Sequence, residues 1–356
     1  MVEKCEGAMT ALIRPDNFKD FIKLVEYQVA YGIHGLVPCG TTGQSPTLDW
    51  EEHKGYISET IKIANGKVPV IAGAGSNNPD EGVDATKHAA DMGAYATLHV
   101  TGYYNCPSQQ GFADYFSKVA EAAPECKVII YNIPGRGHPI IKPDIMIALA
   151  MEYPNIIGNK DSTGGKAKPT DDETSFWKAI RAEARKNGLN KHAFKLISGD
   201  DPNTYRMMSD PEIEGVGAIS VWANMFPRVY AKLAELALDG RHSEAKKIDD
   251  SLIGLNKIVG IPIPEYYASI GKRKLLVKDD TFRNPEAVNF AAYLLGMTES
   301  PRMRSPMGFL PYKDGQERIG KTLADLYEKH PEYFSSIEEF FKPKPSIGDR
   351  LMHYRA

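Results

Sequence analysis

The chain is poor in cysteine and has no paired cysteines. Its four, Cys5, Cys39, Cys106 and Cys126, are scattered over 356 residues with no C-x-x-C pair. That argues against a disulfide scaffold or a zinc ribbon and fits a reducing compartment. Long apolar runs are missing as well. None approaches the roughly 18 residues that a membrane span needs. There is no excess of charge of one sign: 43 Lys and Arg stand against 46 Asp and Glu, a net charge of −3. A dedicated nucleic-acid binder would be markedly basic. The nine histidines form no H-x-x-x-H or H-x-H pair on one face, so no catalytic metal is expected. The glycine-rich stretch 72–78, AGAGSNN, carries Asn78 where a dinucleotide fingerprint needs its third glycine. No cofactor is expected. The opening MVEKCEGAMTALIRP has no apolar core of a secretory signal. A soluble, cytoplasmic protein without membrane or nucleic-acid partners is therefore the expectation.

Hydrophobic residues at 42% and charged residues at 25% supply a large globular core. Short β-rich runs alternate with longer amphipathic stretches, the pattern of successive βα units around a parallel sheet. Eight such runs are read at 8–12, 35–38, 68–74, 94–100, 127–132, 155–160, 194–199 and 217–222. Helices are read between them, as at 17–31, where Phe18, Phe21, Ile22, Val25 and Val29 recur at helical spacing. Eight units predict an α/β fold, a closed (β/α)8 TIM barrel with a C-terminal helical region. The expected divisions are a barrel over 1–238, helices over 239–330 and an extension over 331–356. Beyond Trp222 the signals are mostly helical, interrupted by IVGIPIPEYY at 258–267. In the extension, Phe334, Ile337, Phe340 and Phe341 form one short amphipathic turn expected to dock on the body or on a partner.

Active sites of such barrels lie at the C-terminal ends of the strands. There the sequence places Cys39-Gly40-Thr41-Thr42-Gly43-Gln44, Tyr131-Asn132, Asn159-Lys160-Asp161-Ser162 and Gly199-Asp200-Asp201. Lys160 ends an apolar run. It is either a strand-end lysine reaching solvent or a Schiff-base nucleophile. An ordinary lysine, pKa about 10.4, is less than roughly 0.1% unprotonated at pH 7, so apolar surroundings would be needed to activate it. Tyr131 is either a strand aromatic or a phenol that shuttles a proton. Thr41 and Thr42 lie between glycines, where backbone N–H groups can face a carboxylate, or make a plain turn. Asp200 and Asp201 look like paired acids, although acids at a strand end are usually structural or solvated.

GTTGQSPTL (40–48), GYYNCPSQQG (102–111), YNIPGR (131–136), IIGNKDSTG (156–164), ISGDD (197–201) and GAISVWAN (217–224) occur in that order. Together they resemble the pyruvate-dependent class I aldolases, the dihydrodipicolinate synthase and N-acetylneuraminate lyase superfamily. The resemblance runs from about 7 to 238 and resumes near 284–326. It implies a barrel usually assembled as a homotetramer, a dimer of tight dimers. It implies Lys160 as the Schiff-base lysine and Tyr131 as the phenol beside it. Thr41 would link Tyr131 to Tyr104 of a neighbouring subunit. Thr42 would hold a pyruvate carboxylate, and Ile219 would pack on the pyruvate. Arg136 resembles the arginine that binds the second substrate's carboxylate in the synthases, and favours a synthase of lysine and diaminopimelate biosynthesis over a lyase. Ser45, Trp50, His53, Asn77, Glu81 and Tyr103 fall where lysine-inhibited synthases bind free L-lysine. The other readings are an aldolase or lyase with another acceptor, and a non-catalytic binder on the same scaffold. Gln44, Asn159 and Trp222 depart from the family pattern, and 165–191 and 261–283 look like insertions.

Overall fold

The computed structural model describes residues 4–100, 102–307 and 313–355. The outer ends of the expected divisions 1–238 and 331–356 lie outside these. Eight strands alternate with helices: β1 Gly7–Ala11, α1 Phe18–Ala30, β2 Gly35–Val37, α2 Trp50–Ala64, β3 Ile71–Gly73, α3 Pro79–Asp91, β4 Ala96–Val100, α4 Gln109–Ala122, β5 Lys127–Asn132, α5 Pro143–Glu152, β6 Ile156–Asp161, α6 Ser175–Lys186, β7 Lys195–Ser198, α7 Thr204–Ser209, β8 Gly217–Ser220 and α8 Pro227–Leu238. All strand pairs are parallel, in the order β2-β1-β8-β7-β6-β5-β4-β3. A parallel bridge between Leu36 and Val70 joins β2 to β3 and closes the ring. This is the TIM barrel that eight βα units predict.

Local chemistry starts the helices where the periodicity begins. Asn17 accepts the Asp20 N–H at 2.7 Å ahead of α1. Asp49 and Glu52 form a reciprocal capping box on α2, satisfying two donors that the first turn leaves free. Strand side chains alternate between two layers. Met9, Val37, Ile71, Ile129, Ile197 and Ile219 fill the barrel interior. Ala8, Leu36 and Ala72 face α1, α2 and α8, whereas Val128, Ile130 and Leu196 face α4–α6.

Beyond the barrel come α9 His242–Ser251, α10 Ile253–Asn256, α11 Glu286–Leu294, α12 Lys313–Lys329, α13 Ser335–Phe341 and α14 Ile347–Leu351. The stretch read as mostly helical is interrupted at the IVGIPIPEYY segment, and by more than that segment. Residues 261–282 form a hairpin of β9 Ile261–Ile270 and β10 Arg273–Phe282, antiparallel over its whole length. Gly271 supplies the left-handed φ of 59° that a two-residue hairpin turn needs. Only the root of the hairpin is anchored: Ile261 and Ile263 are buried in the large core cluster. The extension docks as its aromatic spacing predicts. Phe334 and Ile337 are fully buried, and Phe340 and Phe341 pack on Tyr27 at 5.5 and 5.1 Å between ring centroids.

Candidate active site

A break in strand register aims the lysine. On β5, Ile129 and Tyr131 face the interior. Opposite them on β6, Val128 pairs with Ile156, but Ile129 pairs with Gly158, so Ile157 is an extra residue. Such a bulge re-aims the residues that follow it. Ile157 and Lys160, three apart, therefore both face inward, where strict alternation would have turned Asn159 and Asp161 inward instead. Gly158 allows the close approach: a Cβ there would lie 2.4 Å from the Lys195 carbonyl oxygen.

Lys160 is buried, and its ammonium sits 4.0 Å from the centroid of the Tyr131 ring. Asn159 and Asp161 point to the outer layer. There Asp161 accepts the Trp177 indole N–H at 2.7 Å, the Thr163 hydroxyl at 2.6 Å and an Asn159 amide N–H at 3.1 Å. Asn159 thus satisfies a buried carboxylate that desolvation would otherwise penalise. Burial pushes the Asp161 carboxyl above its ordinary range.

The Tyr131 hydroxyl lies 3.4 Å from the Ser162 hydroxyl. Burial pushes the Asp200 carboxyl up to about 6, against the opposing pull of the Lys160 ammonium. A Cβ on Gly199 would lie 2.2 Å from the Ser162 oxygen and 3.1 Å from Lys160 Cε, so a glycine keeps this corner open. Asp201 behaves differently: its buried carboxylate accepts the Val221 and Trp222 N–H groups at 3.0 and 3.2 Å and holds the end of β8. That is the structural role expected of strand-end acids.

A cavity of about 590 Å³ opens at the C-terminal face, lined by Thr41, Tyr131 and Arg136. Thr42 is buried, and its hydroxyl accepts the Asn284 amide N–H at 3.0 Å. Arg136 is exposed on the rim and donates to the Asn284 carbonyl at 2.7 Å. Asn284 lies two residues past the end of β10, so the hairpin root braces two expected substrate-binding residues. The sequence reading missed Asn284. The helical reading of its surroundings hid it, and the Asn-Pro step was the one available signal. Ile219 is buried in the barrel interior with Tyr131. Gln44 bonds in both senses: its amide N–H donates to the Arg14 carbonyl at 2.8 Å, while its oxygen accepts from Arg14 and from the Arg304 backbone. A carboxylate could not donate.

Ser45, Trp50, His53, Glu81 and Tyr103 line the same cavity. His53 meets Ser45 at 3.2 Å and the Trp50 ring at 4.9 Å, and burial pushes its pKa down to about 4. Glu81 accepts the Ser76 hydroxyl at 2.6 Å. Asn77 is outside the cavity, its backbone N–H donating to the Tyr103 hydroxyl at 3.1 Å. Tyr104 is not brought to the site within one chain. It is 96% exposed, with a φ of 87° that is unusual for a bulky residue.

A closed parallel barrel with a buried lysine against a tyrosine at the mouth defines a class I aldolase-type enzyme. The chain belongs to the dihydrodipicolinate synthetase family, whose model matches residues 16–325. It is 40% identical over 274 residues to the 4-hydroxy-tetrahydrodipicolinate synthase of Parvibaculum lavamentivorans, covering 74% of this chain and 87% of the relative. The solved 4-hydroxy-tetrahydrodipicolinate synthase of Methylacidiphilum fumariolicum SolV superposes with a TM-score of 0.77 at 30% identity, over 95% of this chain and all of that one. The synthase of Cyanidioschyzon merolae, solved with lysine bound, gives 0.75 at 27% identity, over 90% of this chain and 98% of that one. No described helix is long and apolar enough to cross a membrane.

Proposed function

We propose that this chain condenses pyruvate with aspartate semialdehyde through a Schiff base on Lys160, the reaction of a 4-hydroxy-tetrahydrodipicolinate synthase. The observation that carries the reading is the inward Lys160 with its ammonium 4.0 Å from the Tyr131 ring centroid. The neutral amine adds to C2 of pyruvate, and the carbonyl oxygen takes the Tyr131 phenol proton and leaves as water, which leaves an iminium and a Tyr131 phenolate. A proton passes from the pyruvate methyl group to Tyr131, and the electron pair of that C–H bond forms the enamine. The enamine carbon attacks the aldehyde, whose oxygen takes a proton back from Tyr131. The acceptor's amine then closes on C2 and displaces Lys160. Backbone N–H groups at Thr41-Thr42 hold the pyruvate carboxylate, Ile219 packs on pyruvate, and Arg136 holds the carboxylate of the acceptor. The exposed Tyr104 serves the site of a neighbouring subunit, reaching Tyr131 through Thr41 there, in a homotetramer built from tight dimers. L-lysine binds as an effector among Ser45, Trp50, His53, Asn77, Glu81 and Tyr103.

Borohydride reduction in the presence of pyruvate tests the central step. The expected outcome is one adduct, mapped by mass spectrometry to Lys160 and lost in Lys160→Ala. No adduct, or an adduct at another lysine, overturns the reading. So does a wild type that traps pyruvate but ignores aspartate semialdehyde while cleaving a longer keto acid.

A further inference from the structure

We propose that the Ser162 hydroxyl is the donor that stabilises Tyr131 as a phenolate between the proton transfers of the reaction, working inside a single subunit. The proposal rests on the Schiff-base reading of Lys160. The backbone builds the contact. Ser162 follows directly on β6, and its N–H donates to the carbonyl of Asn132, the residue after Tyr131, at 2.8 Å. That bond carries the β5–β6 pairing one step past the strands and sets Ser162 Oγ 3.4 Å from Tyr131 Oη. Gly199 closes the other side. Its N–H donates to the Asp161 carbonyl at 2.7 Å, and a Cβ there would lie 2.2 Å from Ser162 Oγ and 3.1 Å from Lys160 Cε. The serine oxygen and the end of the lysine stem therefore face one small space at the hydroxyl end of the phenol, whose ring centroid lies 4.0 Å from the ammonium. Among the described residues, Ser162 is the one side chain hydrogen-bonded to the Tyr131 hydroxyl.

In the mechanism above, loss of water from the pyruvate adduct leaves Tyr131 without its proton until the pyruvate methyl group supplies one. An ordinary phenol, pKa about 10, is only about 0.1% ionised at pH 7, so this state needs a donor that favours the charged form. Serine has one hydroxyl proton to give. While Tyr131 is a phenol, Ser162 donates to its oxygen, and the phenol proton points toward the substrate. When that proton goes to the departing oxygen, the serine proton stays, and its bond becomes the shorter, stronger kind made to a charged acceptor. Catalytic hydrogen bonds tighten as charge develops, so 3.4 Å is a starting distance. No bond within Ser162 breaks. The methyl proton forms the new O–H at Tyr131, the C–H electron pair forms the enamine, and the serine keeps its own proton throughout. Ser162 is a positioning residue here; Tyr131 remains the group that meets substrate.

The test uses the full chain as wild type, Ser162→Ala and Ser162→Thr. The first readout is the end-point yield of the borohydride adduct with pyruvate at Lys160. The second is exchange of the pyruvate methyl hydrogens with deuterium, followed by NMR with no aldehyde present, which gives a maximal rate and a KM. Ser162→Ala should form the full adduct with an unchanged pyruvate KM, while its maximal exchange rate falls roughly 10–150-fold, the worth of one hydrogen bond to a charged group. Ser162→Thr keeps the hydroxyl and should restore most of that rate. Wild-type exchange in Ser162→Ala overturns the proposal, even where condensation with aspartate semialdehyde slows, because the serine then serves the acceptor. Equal losses of exchange in both variants, or loss of the adduct in Ser162→Ala, also overturn it and leave Ser162 a packing role. A wild type that forms no adduct overturns the proposal together with the Schiff-base reading.

Discussion

At the scale of single residues, the site depends on groups that hold other groups. Arg136 is the clearest case. The carbonyl of Asn284 takes one of its N–H groups at 2.7 Å, and among the described residues the rest of the fork is open to a carboxylate. Arg136→Ala should therefore weaken use of aspartate semialdehyde by roughly 10–150-fold in kcat/KM, the value of about 1.5–3 kcal/mol for a charge-assisted pair. Pyruvate trapping at Lys160 should hardly change; equal damage to both would mean that Arg136 only pins its loop. Asp200 makes a second prediction, about stability. Its carboxyl is raised from the usual 3.8 to about 6 by burial. Between those values the folded state binds more protons than the unfolded chain, so stability falls as pH rises through that window and stays reduced above it. Asp200→Asn removes that dependence. Melting curves should show the variant gaining on wild type from pH 4 to pH 7, by about 1–3 °C. A constant difference at both pH values would contradict the raised carboxyl.

At the scale of elements, two additions to the barrel reach the mouth by different routes. The hairpin β9–β10 sends Tyr267, Ile270, Leu275 and Leu276 into solvent, yet its root sets Asn284 against Thr42 and Arg136. A two-stranded hairpin is marginal by itself, and this one is held by the burial of Ile261 and Ile263. The start of α2 is the other case. Glu52 completes the capping box and also pairs with Arg304, whose guanidinium holds the Glu52 carboxyl down to about 2. This pins the segment that carries Pro306 and Met307 over the cavity. The same first turn presents Trp50 and His53 beside Ser45. With His53 neutral above about pH 4, Glu81 is left to attract an ammonium group, and Trp50 can pack on an aliphatic stem. Calorimetry with millimolar L-lysine should detect binding to wild type, and Trp50→Ala and Glu81→Gln should weaken it. No heat and no inhibition in the wild type would dismiss the effector site.

At the scale of the whole molecule, one chain is an incomplete catalyst in the proposed mechanism. Tyr104 is 96% exposed and far from joining its own cavity, whereas Lys160, Tyr131 and Arg136 all belong to one protomer. Mixing Lys160→Ala subunits with Tyr104→Phe subunits should then recover activity that neither variant has alone, because hybrid dimers restore one intact site. Failure to recover any activity, with exchange of subunits verified by native mass spectrometry, would place Tyr104 outside the site. The C-terminal extension belongs to the same scale: Phe334 meets Phe226 and Tyr327 at 5.0 and 5.1 Å, so the tail completes the core laid against α8 instead of hanging free.

The barrel and its candidate site residues are legible in the amino-acid sequence. Strand and helix periodicities differ, 2.0 against 3.6, so eight βα units stand out in the bare sequence, and the rule that barrel sites lie at strand ends selects Lys160, Tyr131 and Thr41. The docking of Phe334 and Ile337 follows from their helical spacing. The hairpin does not. Its strands are only half apolar and lack a buried face, so nothing but tertiary anchoring at Ile261 and Ile263 marks them as strands. Period alone also misleads at Lys160. It would turn Asn159 and Asp161 inward, and one extra residue at Ile157 reverses that. Ser162 and Asn284 become partners of Tyr131, Thr42 and Arg136 only through contacts between distant segments. The local sequence determined which elements form, because dihedral preference and amphipathic period act over a few residues. Which side chains meet at the mouth was decided by strand register and loop packing, which bring together groups as distant as Thr42 and Asn284, 242 positions apart.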